Sequence, residues 1–186
     1  MIIYTKESVI DMKIIIQPCT GYDAVCNYNK SIKNTINIKN YKDKLPEETF
    51  TKLLKKYPGG FVNFWGIKKG NTDYTQTVYN SIEEGDMVLF QRIDNKVSYI
   101  DSCCIVTMKT INYSLAKEVW RTNSDDNYCY LYFVNNFYNL SYKKIKTDEI
   151  YKLIGENKKR VYKITRFDKR DSDIIIKKFN LNDYKK

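Results

Sequence analysis

Apolar and polar residues follow two rhythms along this chain, and the points where one gives way to the other mark its expected elements. Residues 11–19 (Asp-Met-Lys-Ile-Ile-Ile-Gln-Pro-Cys) form a continuous apolar run closed by Pro18, the signature of a short buried strand. A helix is expected over about 22–32. Leu45-Pro46-Glu47-Glu48 opens another, with Pro in the first turn. Phe50, Leu53, Leu54 and Tyr57 at i, i+3, i+4 and i+7 give that helix one apolar face, and Pro58-Gly59-Gly60 stops it. From residue 61 the period switches to two. Phe61 to Ile67 predicts a strand broken at Gly66 and followed by a Lys68-Lys69-Gly70-Asn71 loop. A short helix over 74–82, a turn at Glu84-Gly85-Asp86 and a strong strand over 87–91 follow. Asp94-Asn95-Lys96 then makes a hairpin into a long strand, Val97 to Met108, bent near Asp101-Ser102.

Beyond the hairpin, Tyr113 to Trp120 has helix-forming composition with Ser114 as its expected cap, and Arg121 to Asn127 is a polar loop. Tyr128 to Val134 is a strand rich in Tyr and Phe, connected onward to Ser141-Tyr142. Residues 147–154 predict a helix and 161–167 an extended piece. Residues 171–179 predict a terminal helix by composition and spacing, although three consecutive Ile favour a strand. The sum is an α+β domain: a strongly curved, mixed or mainly antiparallel sheet, or small barrel, flanked by helices.

At 186 residues the chain is expected to be a single domain, with a core large enough to need no staples. The 42% hydrophobic and 29% charged composition is that of a soluble globular protein. No apolar run approaches the ~20 residues that span a bilayer, and no secretory signal is legible at the N-terminus, so the cytoplasm is the expected location and no membrane partner is implied. The five cysteines fall into neither a disulfide framework nor zinc-ligand spacing, and packing accounts for them.

Charge changes the picture more. A formal net charge of +10 attracts polyanions, although a lysine-rich surface alone would produce the same number. Seventeen Tyr and eight Phe among those cations supply the stacking faces that unpaired bases require. The absence of histidine excludes Ser-His-Asp, Cys-His and His-metal chemistry, and no phosphate loop or dinucleotide fingerprint occurs. Carboxylate groups such as Glu83-Glu84 with Asp86, or Asp168 with Asp171 and Asp173, stand in turn-like or charged contexts rather than in a nuclease pattern. A non-catalytic nucleic-acid-binding module without cofactor or metal is the expectation.

The ordered motifs F-V-N-F-W-G-I-K-K-G-N at 61–71, E-E-G-D-M-V-L-F at 83–90, V-S-Y-I-D-S-C-C-I-V at 97–106, L-A-K-E-V-W at 115–120 and Y-L-Y-F-V at 130–134 resemble the PUA-like superfamily of YTH and EVE domains. In particular they are similar to the N-terminal DNA-reading domain of McrB-type modification-dependent restriction systems, and V-Y-K-I-T-R-F-D-K at 161–169 adds to the likeness. The resemblance implies a barrel core over 58–170, with residues 1–57 packed on it as an N-terminal extension. It further implies an aromatic cage that holds a flipped base, within a larger GTP-dependent restriction assembly.

Trp65 matches the first cage position and Trp120 the second, with Phe90 and Tyr99 as neighbours of the pocket and the third cage position unassigned. Asn63, Asn71, Asp73 and Ser98 are the expected polar partners of the base, and Lys68, Lys69, Lys109, Lys117 and Arg121 the expected phosphate contacts. The two indoles are expected to meet at the barrel mouth and leave a slot for one base, whose methyl group contributes only about 0.8 kcal/mol on burial. The competing account makes both tryptophans core residues. Methylated DNA, carrying N6-methyladenine or a modified cytosine, is the expected partner. Modified RNA, an acidic protein surface, or a metal-dependent nuclease activity are the alternatives.

Overall fold

The computed structural model describes residues 11–70, 72–121, 128–159 and 161–184. Its strands are β1 (Ile14–Pro18), β2 (Ile36–Asn37), β3 (Phe61–Lys68), β4 (Met87–Asp94), β5 (Val97–Ile111), β6 (Tyr128–Asn139) and β7 (Thr165–Arg166). Its α-helices are α1 (Tyr22–Tyr28), α2 (Glu47–Lys56), α3 (Tyr74–Ser81), α4 (Tyr113–Trp120), α5 (Thr147–Leu153) and α6 (Lys169–Phe179). The strands form one mixed sheet in the order β2-β3-β6-β5-β4-β1-β7, in which the β1–β4 pair is parallel and every other pair antiparallel. The expected α+β class and mixed sheet are therefore observed. Pairing among the described residues runs from β2 to β7 without joining them, so the sheet is open at the level of its hydrogen bonds.

Side-chain contacts show how strongly the sheet curls. Trp65 on β3 and Phe90 on β4 are three strand spacings apart, about 14 Å on a flat sheet, yet their ring centroids lie 5.8 Å apart. Tyr132 on β6 and Gln17 on β1 are likewise three spacings apart, and the tyrosine hydroxyl donates to Gln17 Oε1 at 3.2 Å. Alternation along each strand then sends residues to opposite faces. Ile15, Trp65, Val88, Phe90, Cys104, Val106 and Tyr132 fill the concave side with Tyr28 from α1 and Tyr79 from α3. On the convex side, Ile14, Ile16, Met87 and Leu89 pack against α5 and α6, while Phe64, Leu131 and Phe133 pack against α2 and α4.

Local chemistry explains the boundaries. Asn95 (φ 47°) and Lys96 (φ 65°) both adopt positive φ, the conformation that a tight two-residue hairpin demands. The expected bend in β5 is a bulge at Asp101: Phe90 pairs with Ser102 and Gln91 with Ile100, leaving Asp101 over. Its carboxylate accepts from the Tyr28 hydroxyl at 2.7 Å, which anchors α1 to the sheet. The cap of α4 is Asn112, whose side chain accepts from Leu115 N at 2.8 Å, rather than the expected Ser114. Asn112 stands just before the first helical turn and its side-chain oxygen reaches forward to an N–H of that turn, the geometry an N-cap requires. The three Ile residues at 174–176 lie in helix α6, capped by Asp168 through the N–H of Asp171 at 2.8 Å.

β6 runs five residues beyond the expected Val134, to Asn139, and only Thr165–Arg166 of the 161–167 segment is strand. β1, within the segment expected as an N-terminal extension, is hydrogen-bonded between β4 and β7. Buried Asp86 ties these strands together by accepting from Lys13 N, Glu83 N and Arg166 Nε at 3.1, 2.9 and 2.8 Å. Among the described residues no helix is long and apolar enough to cross a membrane.

Candidate nucleic-acid interface

The curl of the sheet brings the ends of β1 and β3 close to each other across a seam that no backbone ladder closes among the described residues. A cavity of about 230 Å³ opens there, lined by Gln17 and Pro18 from β1, Trp65 to Lys68 from β3, Ala24 from α1 and Thr75 from α3, with Tyr128 and the segment 162–164. It is smaller than the ~300–1,000 Å³ of sites for drug-sized ligands, a scale suited to one nucleobase. Trp65 belongs to the concave core and is only 3% exposed, braced edge-on by Phe90. Its indole Nε1–H is buried and finds no acceptor among the described residues. Tyr162, 72% exposed, stands at the opening beside the exposed Lys68 and Lys163. The Lys68 ammonium lies 6.0 Å from the Tyr128 ring centre, and that of Lys163 lies 5.4 Å from the Tyr74 ring.

Trp120 occupies a different place from the one expected. Its ring packs on the convex side against Phe64 (5.2 Å) and Tyr128 (5.5 Å), and its Nε1 donates to Ser31 Oγ at 3.1 Å. The ring also covers Gly66, where a Cβ would stand 2.8 Å from its Cη2 and Cζ3 atoms. The two indoles do meet, with centroids 5.7 Å apart and planes tilted by 52°. A base between two rings needs roughly 7–8 Å, two van der Waals contacts. The expected slot between the tryptophans is thus absent, and the hollow lies between Trp65 and the seam.

The other expected site residues divide accordingly. Phe90 is fully buried behind Trp65. Asn63 donates its amide to the carbonyls of Ser31, Ile32 and Asn34 at 3.3, 2.9 and 3.0 Å, clasping the π-helical turn that follows α1. Ser98 exchanges a hydrogen bond with Thr147 at 2.8 Å, and Tyr99 lines a separate hollow of about 430 Å³ near the β4–β5 hairpin. Asp73 sits at the N-cap of α3, two residues before Thr75, and Asn71 lies outside the described residues. Lys109 is committed to the C-terminal end of α3, donating to the carbonyls of Tyr79 and Asn80 at 2.9 and 3.1 Å, and burial holds its ammonium pKa below the usual lysine range. Lys117 lies over the Tyr113 ring, Arg121 ends α4 in the left-handed conformation, and Lys69 is exposed beside Lys68.

Residues that sequence reasoning passed over complete the cavity: Gln17, Pro18, Ala24, Thr75, Tyr128, Tyr162 and Lys163. The cross-strand pairing of Lys68 with Tyr128 is the register that places that ring beside the opening. Desolvation raises Cys19, Cys104 and Cys129 above the ordinary thiol range and pushes Cys103 up to about 12. Among the described residues no group of three His, Cys, Asp or Glu side chains is placed to hold a metal ion.

A curved mixed sheet flanked by helices is the architecture to which comparison with solved structures also leads. The chain is similar to the N-terminal domain of Thermococcus Gammatolerans McrB bound to m5C DNA, with a TM-score of 0.66 and 17% identity over 91% of this chain and 98% of that one. It is also similar to a hypothetical protein from Leishmania major, with a TM-score of 0.51 and 10% identity over 92% of this chain and 97% of that one. The likeness to this McrB N-terminal domain is one of fold. No protein-family model matches the chain, and no curated protein matches it significantly.

Proposed function

We propose that this chain is a non-catalytic reader of modified DNA, which admits one extruded, methylated base into the cavity between β1 and β3. The observation that carries the proposal is the base-sized hollow floored by Trp65 and edged by Tyr128, Tyr162, Lys68 and Lys163, on a fold shared with a domain bound to methylated DNA. The chemistry suits the task. An aromatic floor rewards stacking and the burial of a methyl group, while discrimination beyond ~0.8 kcal/mol requires hydrogen bonds that a wrong base leaves unmet. Lysines at the opening neutralise phosphates and supply affinity that is independent of sequence.

The open seam takes the part that a barrel mouth plays in the PUA-like resemblance, with α1, α3 and the 162–164 segment standing in for the missing wall. In this reading Trp65 is the cage residue, Tyr128 and Tyr162 are its partners, and Trp120 holds Trp65 from behind. The module supplies specificity to a McrB-type, GTP-dependent restriction assembly whose motor and nuclease are separate parts.

The test is competition binding with duplexes that differ at one methyl group, alongside the matching RNA strands. Preference for methylated duplex by tenfold or more at physiological salt supports the proposal. Equal affinity for methylated and unmethylated duplex refutes it, and a preference for modified RNA transfers the reading to RNA.

A further inference from the structure

Apart from the cavity at the seam, a second hollow of about 430 Å³ opens beside the β4–β5 hairpin. Asp94, Val97 and Tyr99 line it from the hairpin, and Ser141, Lys144 and Lys146 from the segment after β6. Its volume falls within the ~300–1,000 Å³ of sites that take small organic ligands. Asn95 and Lys96, both at positive φ, close the hairpin and set Asp94 opposite Val97. After β6 the chain turns back along β5. Leu140 N donates to the Asp101 carbonyl at 2.7 Å, Ile100 N donates to the Ile145 carbonyl at 2.9 Å, and Lys146 bridges to Tyr99 in the antiparallel sense. The turn Ser141–Lys143 is pinned by Asn139 Oδ1, which accepts from Ser141 N and Oγ at 2.9 and 2.7 Å, and it ends at Lys144 in the left-handed conformation.

Register sets the order of chemistry along the hollow. Asp94 stands at the hairpin tip; Tyr99 is two residues beyond Val97, roughly 7 Å of strand, with Lys146 paired to it. Because the returning segment is antiparallel to β5, Lys144 falls further again from the tip. An acid thus lies at one end, two cations at the other and an aromatic ring between them. Neighbouring lysines are engaged: Lys143 donates to the Phe179 carbonyl at 3.2 Å, and Lys152 pairs with Asp148 at 2.9 Å. Among the described residues, by contrast, neither Lys144 nor Lys146 makes an ion pair, the Asp94 carboxylate accepts no hydrogen bond, and the Tyr99 ring has no aromatic or cationic stacking partner. Two adjacent unneutralised ammonium groups attract a phosphate, and a half-buried ring next to them offers a base a stacking face.

We propose that this hollow is a second binding site, for one unpaired nucleotide: Lys144 and Lys146 hold its phosphate, the Tyr99 ring stacks on its base, and Asp94 accepts from an exocyclic amine at the base edge. The site is separate from the cavity between β1 and β3 and does not depend on what that cavity reads. Cytosine and adenine present an amine where thymine presents a carbonyl oxygen, so thymine meets a carboxylate and is disfavoured.

Nuclear magnetic resonance tests this on the whole chain, titrated with dCMP, dTMP, deoxycytidine, inorganic phosphate and a short oligodeoxycytidine strand. The backbone amides of Asn95, Tyr99 and Lys146 report on the hollow, and those of Gly66 and Ile67 on the seam cavity. dCMP is expected to move the first set and to bind at least about fivefold more tightly than dTMP, deoxycytidine or phosphate, the lower end of what one stacked base contributes. Replacing Lys144 and Lys146 together by Ala should weaken dCMP binding about tenfold. Tyr99→Leu should weaken it at least about fivefold, whereas Tyr99→Phe keeps the ring and the affinity. The ligand comparisons on wild-type protein stand whether or not any variant folds.

An oligonucleotide that binds tighter than dCMP with the same shifts makes the occupant part of a strand, and equal affinity makes it a free nucleotide; either supports the site. Phosphate or deoxycytidine binding as tightly as dCMP refutes joint recognition of phosphate and base, and equal binding of dTMP refutes the role of Asp94. Equal losses in Tyr99→Leu and Tyr99→Phe refute stacking. Shifts confined to Gly66 and Ile67, or no shifts at millimolar dCMP, overturn the second site altogether.

Discussion

Substituting Gly66 by Ala tests how the fold holds Trp65 in place. The added Cβ would stand 2.8 Å from two atoms of the Trp120 ring and 2.9 Å from Leu131 Cδ2. Ordinary carbon contacts are about 3.5–4.0 Å, so the ring must retreat by roughly 0.7–1.2 Å. Its retreat is opposed on two sides. The Trp120 Nε1–H is fixed to Ser31 at 3.1 Å, and the ring is stacked on Phe64 with centroids 5.2 Å apart.

Overpacking of this kind costs about 1–3 kcal/mol. In a domain of this size each kcal/mol lowers Tm by about 2–4 °C, which gives a drop of about 2–12 °C. Thermal unfolding followed by near-ultraviolet circular dichroism measures it, since both indoles contribute to the signal. Paired with Trp120→Leu, the same substitution should cost less than in the wild type, because the smaller side chain leaves room for the methyl group. A Tm unchanged by Gly66→Ala, or an equal drop in the Trp120→Leu background, would refute the packing argument.

Three further outcomes are expected. Asp86→Ala removes the acceptor that joins Lys13, Glu83 and Arg166 and leaves the largely buried guanidinium with the Glu83 carboxylate, so it should lower stability by about 2–4 kcal/mol in urea unfolding through the hydrogen bonds lost; a loss below ~1 kcal/mol would show that the clamp is dispensable. Lys68→Ala and Lys163→Ala should each reduce the slope of log affinity against log salt by about 0.9 while leaving the methylated-to-unmethylated ratio intact; an unchanged slope removes that lysine from the phosphate path. A thiol reagent at pH 8 should titrate Cys26 first under native conditions, and the other four only on denaturation, because Cys19, Cys103, Cys104 and Cys129 are buried and their thiols held protonated. Reaction of two or more cysteines at similar rates in the folded protein would contradict this.

The features legible in the sequence were those with local causes. Alternation from Phe61, the turn at Asn95-Lys96 and the apolar face of α2 each depend on neighbours a few residues away, and each lies where expected, except that β3 runs on through Gly66 to Lys68 instead of breaking there. The bulge at Asp101 was legible as a bend because a polar pair interrupts an apolar strand. The site was less legible, since it depends on which strands face one another across the curl. Trp65 and Lys68, which the sequence patterning singles out, line the cavity. Trp120, carried by α4, reaches the other side of the sheet from Trp65, where it contacts Gly66 and Ser31, residues 54 and 89 positions away. Asn63 and Ser98 have the composition of ligand contacts, yet backbone carbonyls and Thr147 engage them. Gln17 and Tyr162 come from the two ends of the chain, where no periodicity links them.

The seam between β1 and β3 has a bearing on how such a module diversifies. Its walls there are side chains from two short helices and an irregular segment, none of which contributes ladder bonds to the gap itself. Ala24, Thr75 and Tyr162 can therefore change in size or polarity while the strand register stays untouched. In the proposed reading the scaffold separates what is admitted from what keeps it folded, so new preferences are reachable through single replacements.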